Sequence, residues 1–165
     1  MRKHKILLST IAAIIVIIIA GATLFNLYNN RDSIIFKCEA DVRYDVNDGQ
    51  NFSSIDALYV LAISANKKGF LHISGVVKKN GKKIDLNRAY DFIYRKKGQV
   101  DFYNVLITKE RVSIYDDVDN DYFQKTFLPE RPGLSINIKA RKLKDNLYMF
   151  DGFTYTHFIC TKASD

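Results

Sequence analysis

What this chain lacks narrows its chemistry before any fold is considered. It has two cysteines and three histidines in 165 residues, and His4, His72 and His157 stand far apart along the chain. Nothing in the sequence gathers them with carboxylates or a thiolate at metal-ligand spacing. The two cysteines form no C-x-x-C pair of the kind a thiol–disulfide enzyme presents. A G-x-S-x-G nucleophile elbow is absent, as is a glycine-rich phosphate loop. Acidic residues are so numerous that no single pair of them signals general acid–base work. The expectation is a protein that is not an enzyme, with no catalytic residue, no metal and no cofactor.

Charge of one sign is not massed either. The formal net charge of +7 includes Arg2, Lys3 and Lys5, and setting these aside leaves 22 basic against 18 acidic residues. The basic residues are interspersed with Asp and Glu, and no recognition helix or finger spacing is visible, so no nucleic-acid partner is expected. The densest acidic stretch, Asp116 to Asp121, places Asp117, Asp119 and Asp121 at the first three ligand positions of a calcium loop. The match then fails, because no glycine stands sixth and Leu128 occupies the place of the bidentate glutamate. A turn with charge at a helix start is the better reading.

What is present begins with an apolar run. Ile6 through Phe25 carries no charge and follows Arg2, Lys3 and Lys5. About 20 residues at ~1.5 Å each match the ~30 Å of a bilayer core, so the run predicts a transmembrane helix with a cytoplasmic amino terminus. Ala20-Gly21-Ala22 keeps a second reading open, a signal sequence cleaved after Ala22. Either reading sends the rest of the chain out of the cytoplasm. The expected organisation is a basic start and anchor over residues 1–28 and a periplasmic domain over residues 29–165, with residues 26–33 as a tether. The molecule would then be a single-pass inner-membrane protein that meets lipid through its amino-terminal helix.

Beyond residue 33 the pattern has period two. In "FKCEADVRY", Phe36, Cys38, Ala40, Val42 and Tyr44 alternate with Lys37, Glu39, Asp41 and Arg43, one dry face and one wet. Phe52–Ala65 and Phe70–Lys79 also read as strands, and Asn80-Gly81 between extended runs marks a tight hairpin. Ile84, Leu86, Tyr90, Phe92 and Tyr94 share a parity that Arg88 interrupts. Strand character returns over Val100–Lys109, Val112–Tyr115 and Leu134–Ala140, and Leu147–Thr161 reads as one long or broken strand. Between them Tyr122, Phe123, Thr126 and Phe127 have helical spacing, predicting a short helix that "LPERPG" ends. Short connections imply antiparallel neighbours. The fold class expected is an amino-terminal transmembrane helix followed by a mainly-β domain, an antiparallel sheet of seven or eight strands with one short helix. Alternation does not decide whether the sheet curls into a partial barrel.

Cys38 lies in the first strand and Cys160 in the last, and no other cysteine competes. In an oxidising compartment the two are expected to form an internal disulfide. Ten tyrosines and eleven phenylalanines are many for this length, and most belong to a β core. Tyr90, Phe92 and Tyr94, with Phe102 on the next strand, are the candidate face for an apolar ligand or a partner. Arg88, out of place on that face, is the candidate contact at a pocket mouth or interface, unless it snorkels at the strand end.

The segments "LYNNRDSIIFKCEADVRY", "VVKKNGKKIDLNRAYDFIYRKKG", "ERVSIYDDVDNDYF", "FLPERPG" and "GFTYTHFICTK" resemble the FidL-like family of enterobacterial membrane proteins across essentially the whole chain. The resemblance implies an inner-membrane anchor with a periplasmic domain. Some such proteins are encoded beside membrane-bound transcriptional regulators of the ToxR type. That arrangement is similar to ToxS-like accessory proteins, whose periplasmic domains stabilise the regulator, and related pairs share a barrel-like domain that senses bile components. The function expected is therefore a non-enzymatic accessory protein pairing with a regulator or another inner-membrane protein. The alternative is a domain that binds or senses a small apolar ligand.

Overall fold

The computed structural model describes residues 14–25, 33–47, 52–98, 101–127, 132–152 and 156–163. The chain divides into two compact units, Met1–Ser33 and Ile34–Asp165. Within the first unit residues 14–25 form a helix, α1, whose Thr23 hydroxyl donates to the carbonyls of Ile19 and Ala20. At ~1.5 Å per residue these residues rise about 18 Å, well short of the ~30 Å of a bilayer core. No helix among the described residues is long and apolar enough to cross a membrane.

That finding corrects the transmembrane helix expected over Ile6–Phe25, whose first part, together with the basic start and most of the tether, lies outside the described residues. The readings built on the anchor are corrected with it. These are the single-pass inner-membrane topology with a periplasmic carboxyl-terminal domain, lipid contact through the amino-terminal helix, and the membrane-anchored accessory protein paired with a transcriptional regulator or other inner-membrane protein.

Among the described residues, the second unit consists of eight strands, one short helix and the turns and loops that join them. Its strands are β1 (Ile34–Asn47), β2 (Phe52–Ser64), β3 (Lys68–Lys79), β4 (Lys82–Lys96), β5 (Phe102–Val112), β6 (Ser135–Lys142), β7 (Leu147–Asp151) and β8 (Thr156–Lys162), with α2 (Asn120–Thr126) between β5 and β6. Each strand pairs antiparallel with the next, and β8 returns to β1, so the sheet closes into an eight-stranded barrel. The fold class is thereby corrected from a transmembrane helix plus an open or partly curled sheet. It is a closed antiparallel barrel, with two helices among the described residues, neither of them long and apolar enough to cross a membrane.

Alternation sets the inner and outer faces. Cys38, Ala40 and Val42 are buried while Lys37, Glu39, Asp41 and Arg43 between them are exposed, as expected when successive side chains leave a strand on opposite sides. The β3–β4 hairpin turns at Asn80 and Gly81, whose φ angles of 49° and 81° are the positive values a two-residue turn needs. β5 stops at Val112, so the strand expected to resume through Tyr115 is instead loop. The run Leu147–Thr161 is two strands, β7 and β8, paired as a hairpin with Tyr148 opposite Cys160.

The barrel has a long wall and a short one. β1 to β4 run 14, 13, 12 and 15 residues, whereas β6, β7 and β8 run only 8, 5 and 7. The seam between β8 and β1 holds two registered pairs, Cys38↔Lys162 and Glu39↔Thr161. Across it the Cys38–Cys160 disulfide joins the first strand to the last, with Cα atoms 5.6 Å apart and both residues buried.

Candidate functional site

One end of the barrel is stoppered by the segment after β5. Asp119 caps α2 by accepting from the Tyr122 amide at 2.8 Å, satisfying a helix-end donor. The helix then drives Phe123 and Phe127 inward, where both are buried, and the Tyr122 hydroxyl meets the buried Ser53 hydroxyl at 2.5 Å. Tyr44 stacks edge-on to Phe127 at 5.7 Å and donates its hydroxyl to the Phe127 carbonyl at 2.8 Å.

The stopper is latched from inside by Arg88. Its guanidinium is 0% exposed and donates to both carboxylate oxygens of Asp116 at 2.9 Å. It also donates to the Val118 carbonyl and, at 3.4 Å, to Glu110, and it lies 4.5 Å above the Phe123 ring. The Asp116 carboxylate accepts two backbone amides besides, from Asn87 at 2.8 Å and Val118 at 3.0 Å. Burial works against the charge of Arg88, but the hydrogen bonds and charge of Asp116 outweigh it and hold the guanidinium above its ordinary value. The arginine that looked like a rim contact is thus an internal tie between β4 and the loop after β5.

Glu110 belongs to the same network because of a bulge. Between the β4–β5 pairs Asp91↔Lys109 and Phe92↔Ile107 the register shifts, leaving Thr108 to bond the Asp91 carbonyl at 3.0 Å. Before the bulge the inward residues of β5 are Tyr103, Val105 and Ile107; beyond it Glu110 takes the inward place opposite Tyr90. A bulge re-aims side chains in this way. The Tyr90 hydroxyl donates to Glu110 at 2.7 Å and Gln124 donates to the other oxygen at 3.2 Å. Burial, then the Glu110 carboxylate, push the Tyr90 phenol far above its ordinary pKa, so it stays a neutral donor.

Beyond this network the barrel is not filled. A cavity of about 1020 Å³ occupies the lumen, walled by side chains from all eight strands and by the end of α2. An eight-stranded barrel has room either for its own side chains or for one small ligand. Here the short strands β6 to β8 contribute few inward residues, and the aromatic rings stand along the wall. Phe36 meets Tyr148 at 4.9 Å, Tyr94 meets Tyr103 at 6.0 Å, and Phe150 meets Phe158 at 5.1 Å. Burial and the neighbouring Tyr103 raise the Tyr94 phenol.

Of the residues singled out from the sequence, Tyr90, Phe92 and Tyr94 line this cavity. Phe102 does not: it faces outward in register with Lys139, whose ammonium lies 5.6 Å from its ring. Its neighbour Tyr103 takes the inward place, and the odd-numbered set Tyr103, Val105 and Ile107 was the signal for that parity. Tyr59, Tyr148, Phe150 and Phe158 also line the cavity and were not singled out, since alternation does not reveal which strands meet across a lumen. Asp116 was read as turn charge, yet its side chain is fully buried against Arg88. Among the described residues no group of histidine, cysteine and carboxylate side chains is placed to hold a metal ion.

No curated protein and no solved structure matches the chain. A family model, that of the FidL-like putative membrane protein, matches residues 75–160. The matched stretch runs from the middle of β3 to Cys160 in β8, taking in Arg88, Glu110 and Asp116 but not Cys38. With a little over half of its 165 residues matched in this way, the chain belongs to the FidL-like family.

Proposed function

We propose that the barrel is a binding domain for a small, largely apolar molecule held in its lumen. The observation that supports this reading is the cavity of about 1020 Å³ with its aromatic and aliphatic lining. Ligand sites are concave, mostly apolar, and carry a few polar groups that fix orientation, and their volumes run to roughly 1,000 Å³. The polar lining residues include Tyr103 and Tyr148 inside and Thr156 and His157 on β8. They favour a ligand with a hydrogen-bonding oxygen or nitrogen on an otherwise hydrocarbon or aromatic frame.

The test is uptake of an uncharged naphthylamine dye that fluoresces only in apolar surroundings. Saturable binding to the native chain is expected, and Ile138→Trp, which places an indole in the lumen, should abolish it while the protein still unfolds cooperatively. A native chain that leaves the dye dark, or an Ile138→Trp chain that binds it equally well, contradicts the reading.

A further inference from the structure

We infer that the molecule held in the lumen passes in and out through the barrel wall, at a split between β1 and β8, rather than through either end. The inference rests on the binding function proposed above and adds its route and the chemistry of its rim.

Pairing between these two strands stops at Glu39↔Thr161. Below that point Ala40–Tyr44 and Thr156–Cys160 belong to adjacent strands and share no registered pair. In an intact wall only every second side chain reaches the lumen, because successive Cβ atoms point to opposite faces. The cavity nevertheless touches Asp41 and Arg43 as well as Val42 and Tyr44, and it touches each of the four residues from Thr156 to Ile159. Residues of both parities border one cavity here, as they would where that cavity runs out between the two strands. Lys125 to Phe127, at the end of α2, also border it.

The end that carries α2 is obstructed. Phe123, Phe127 and the Arg88–Asp116 tie stand there. At the other, the aromatic pairs Phe36–Tyr148 and Tyr94–Tyr103 stand at the rim, where the exposed Ile35 also borders the cavity. Among the described residues lining the cavity, the charged ones are Asp41 and Arg43, at the split, and Lys125, at the end of α2, all three exposed. The ligand's body is therefore uncharged where it lies inside, and any ionic end remains at this rim, since an unpaired charge in an apolar lumen is strongly disfavoured. The Cys38–Cys160 disulfide sits where the split begins and stops it from running further up the seam.

The experiment uses the full chain with the same uncharged dye. Arg43→Cys is coupled to a bulky polyethylene-glycol maleimide, with Lys83→Cys in the β3–β4 hairpin and Lys68→Cys at the opposite end labelled as controls. Stopped-flow mixing reads association and dissociation. The adduct at residue 43 should slow both rates by at least about tenfold while Kd stays within about twofold, because a blocked passage changes kinetics and not equilibrium. Labels at residues 68 and 83 should change neither. Unaltered rates with residue 43 labelled, or slowing confined to residue 68, would overturn the wall route while leaving the binding function intact. An unlabelled chain without dye uptake would overturn both. As a second handle, Cys38→Ala/Cys160→Ala removes the stop and should speed exchange; unchanged exchange in a cooperatively folded variant counts against the split.

Discussion

Arg88 and Asp116 are joined by two parallel bonds of 2.9 Å, and neither side chain is exposed at all. Two charges removed from water are held together by geometry and by the two amides that also serve the carboxylate. Losing one partner leaves the other charged and buried. Asp116→Ala should therefore destabilise the barrel by about 3–5 kcal/mol in urea unfolding. Arg88→Met/Asp116→Leu, which removes both charges, should recover much of that loss. Equal loss in the single and double variants would mean that the pair contributes shape and not charge balance.

A second expectation concerns alkaline pH. Tyr90 and Tyr94 have phenols raised above the ordinary value of 10.0, first by burial. An acid whose folded pKa lies above its unfolded value leaves stability untouched below the unfolded value and erodes it as pH climbs toward the folded one. The contribution of these two groups should thus be level up to about pH 10 and fall beyond it. Followed by near-ultraviolet phenolate absorbance, these two tyrosines should ionise only as the chain unfolds. Complete, reversible titration of all ten tyrosines with folded circular dichroism would contradict this.

The same sheet makes a prediction about backbone approach. A Cβ built on Gly75 would stand 2.3 Å from the Asp56 carbonyl oxygen and 2.5 Å from the Ala57 Cα, so the β2 backbone must move to admit it. Gly75→Ala should cost about 1–3 kcal/mol of stability by denaturant unfolding, the usual range for overpacking. An unchanged midpoint would show that β2 and β3 separate there without strain.

Acid should be tolerated at the carboxylate of Asp151. The Thr156 hydroxyl bonds it at 2.8 Å and Arg141 at 2.8 Å, and these hold it below the usual carboxylate range. A depressed folded pKa gives stability that is present above the unfolded value of 3.8 and lost as pH falls through the folded one. Proton titration followed by carbon NMR should place the Asp151 midpoint under 3.8, and Thr156→Val should raise it. A midpoint insensitive to that change would remove the hydroxyl as the cause.

Removing the disulfide should weaken the barrel through the unfolded chain. The two cysteines lie 122 residues apart, and a loop of that length restricts the unfolded chain strongly. Cys38→Ala/Cys160→Ala should lower stability by about 2–5 kcal/mol in chemical unfolding. A change of only a few tenths would show that β1 and β8 hold together without the bond.

The β segments were legible because alternation of dry and wet residues is a local property. β1 shows it from Phe36 to Tyr44, and Asn80-Gly81 announces its hairpin through backbone freedom alone. Barrel closure was not legible from alternation, since a seam of two residue pairs leaves no pattern on either strand; the expected Cys38–Cys160 bond, joining the first and last strands, was its mark. The parity of β5 was readable as far as Ile107 and then concealed by the bulge at Thr108, which carries Glu110 to the inside. Asp116 was hidden differently: one carboxylate among four neighbours says nothing of which is buried until the fold places Arg88 beside it. The apolar run beyond Lys5 met a hydropathy rule that counts residues, whereas the described helix covers only residues 14–25.

The bond between Cys38 and Cys160 makes the polypeptide between them a loop in covalent terms as well as in hydrogen bonding. A protease that nicks the exposed Asn80-Gly81 tip would consequently release nothing. Both fragments would migrate as one species on a denaturing gel without reductant and part only when thiol is added, so a single cleavage would leave the closed sheet covalently whole.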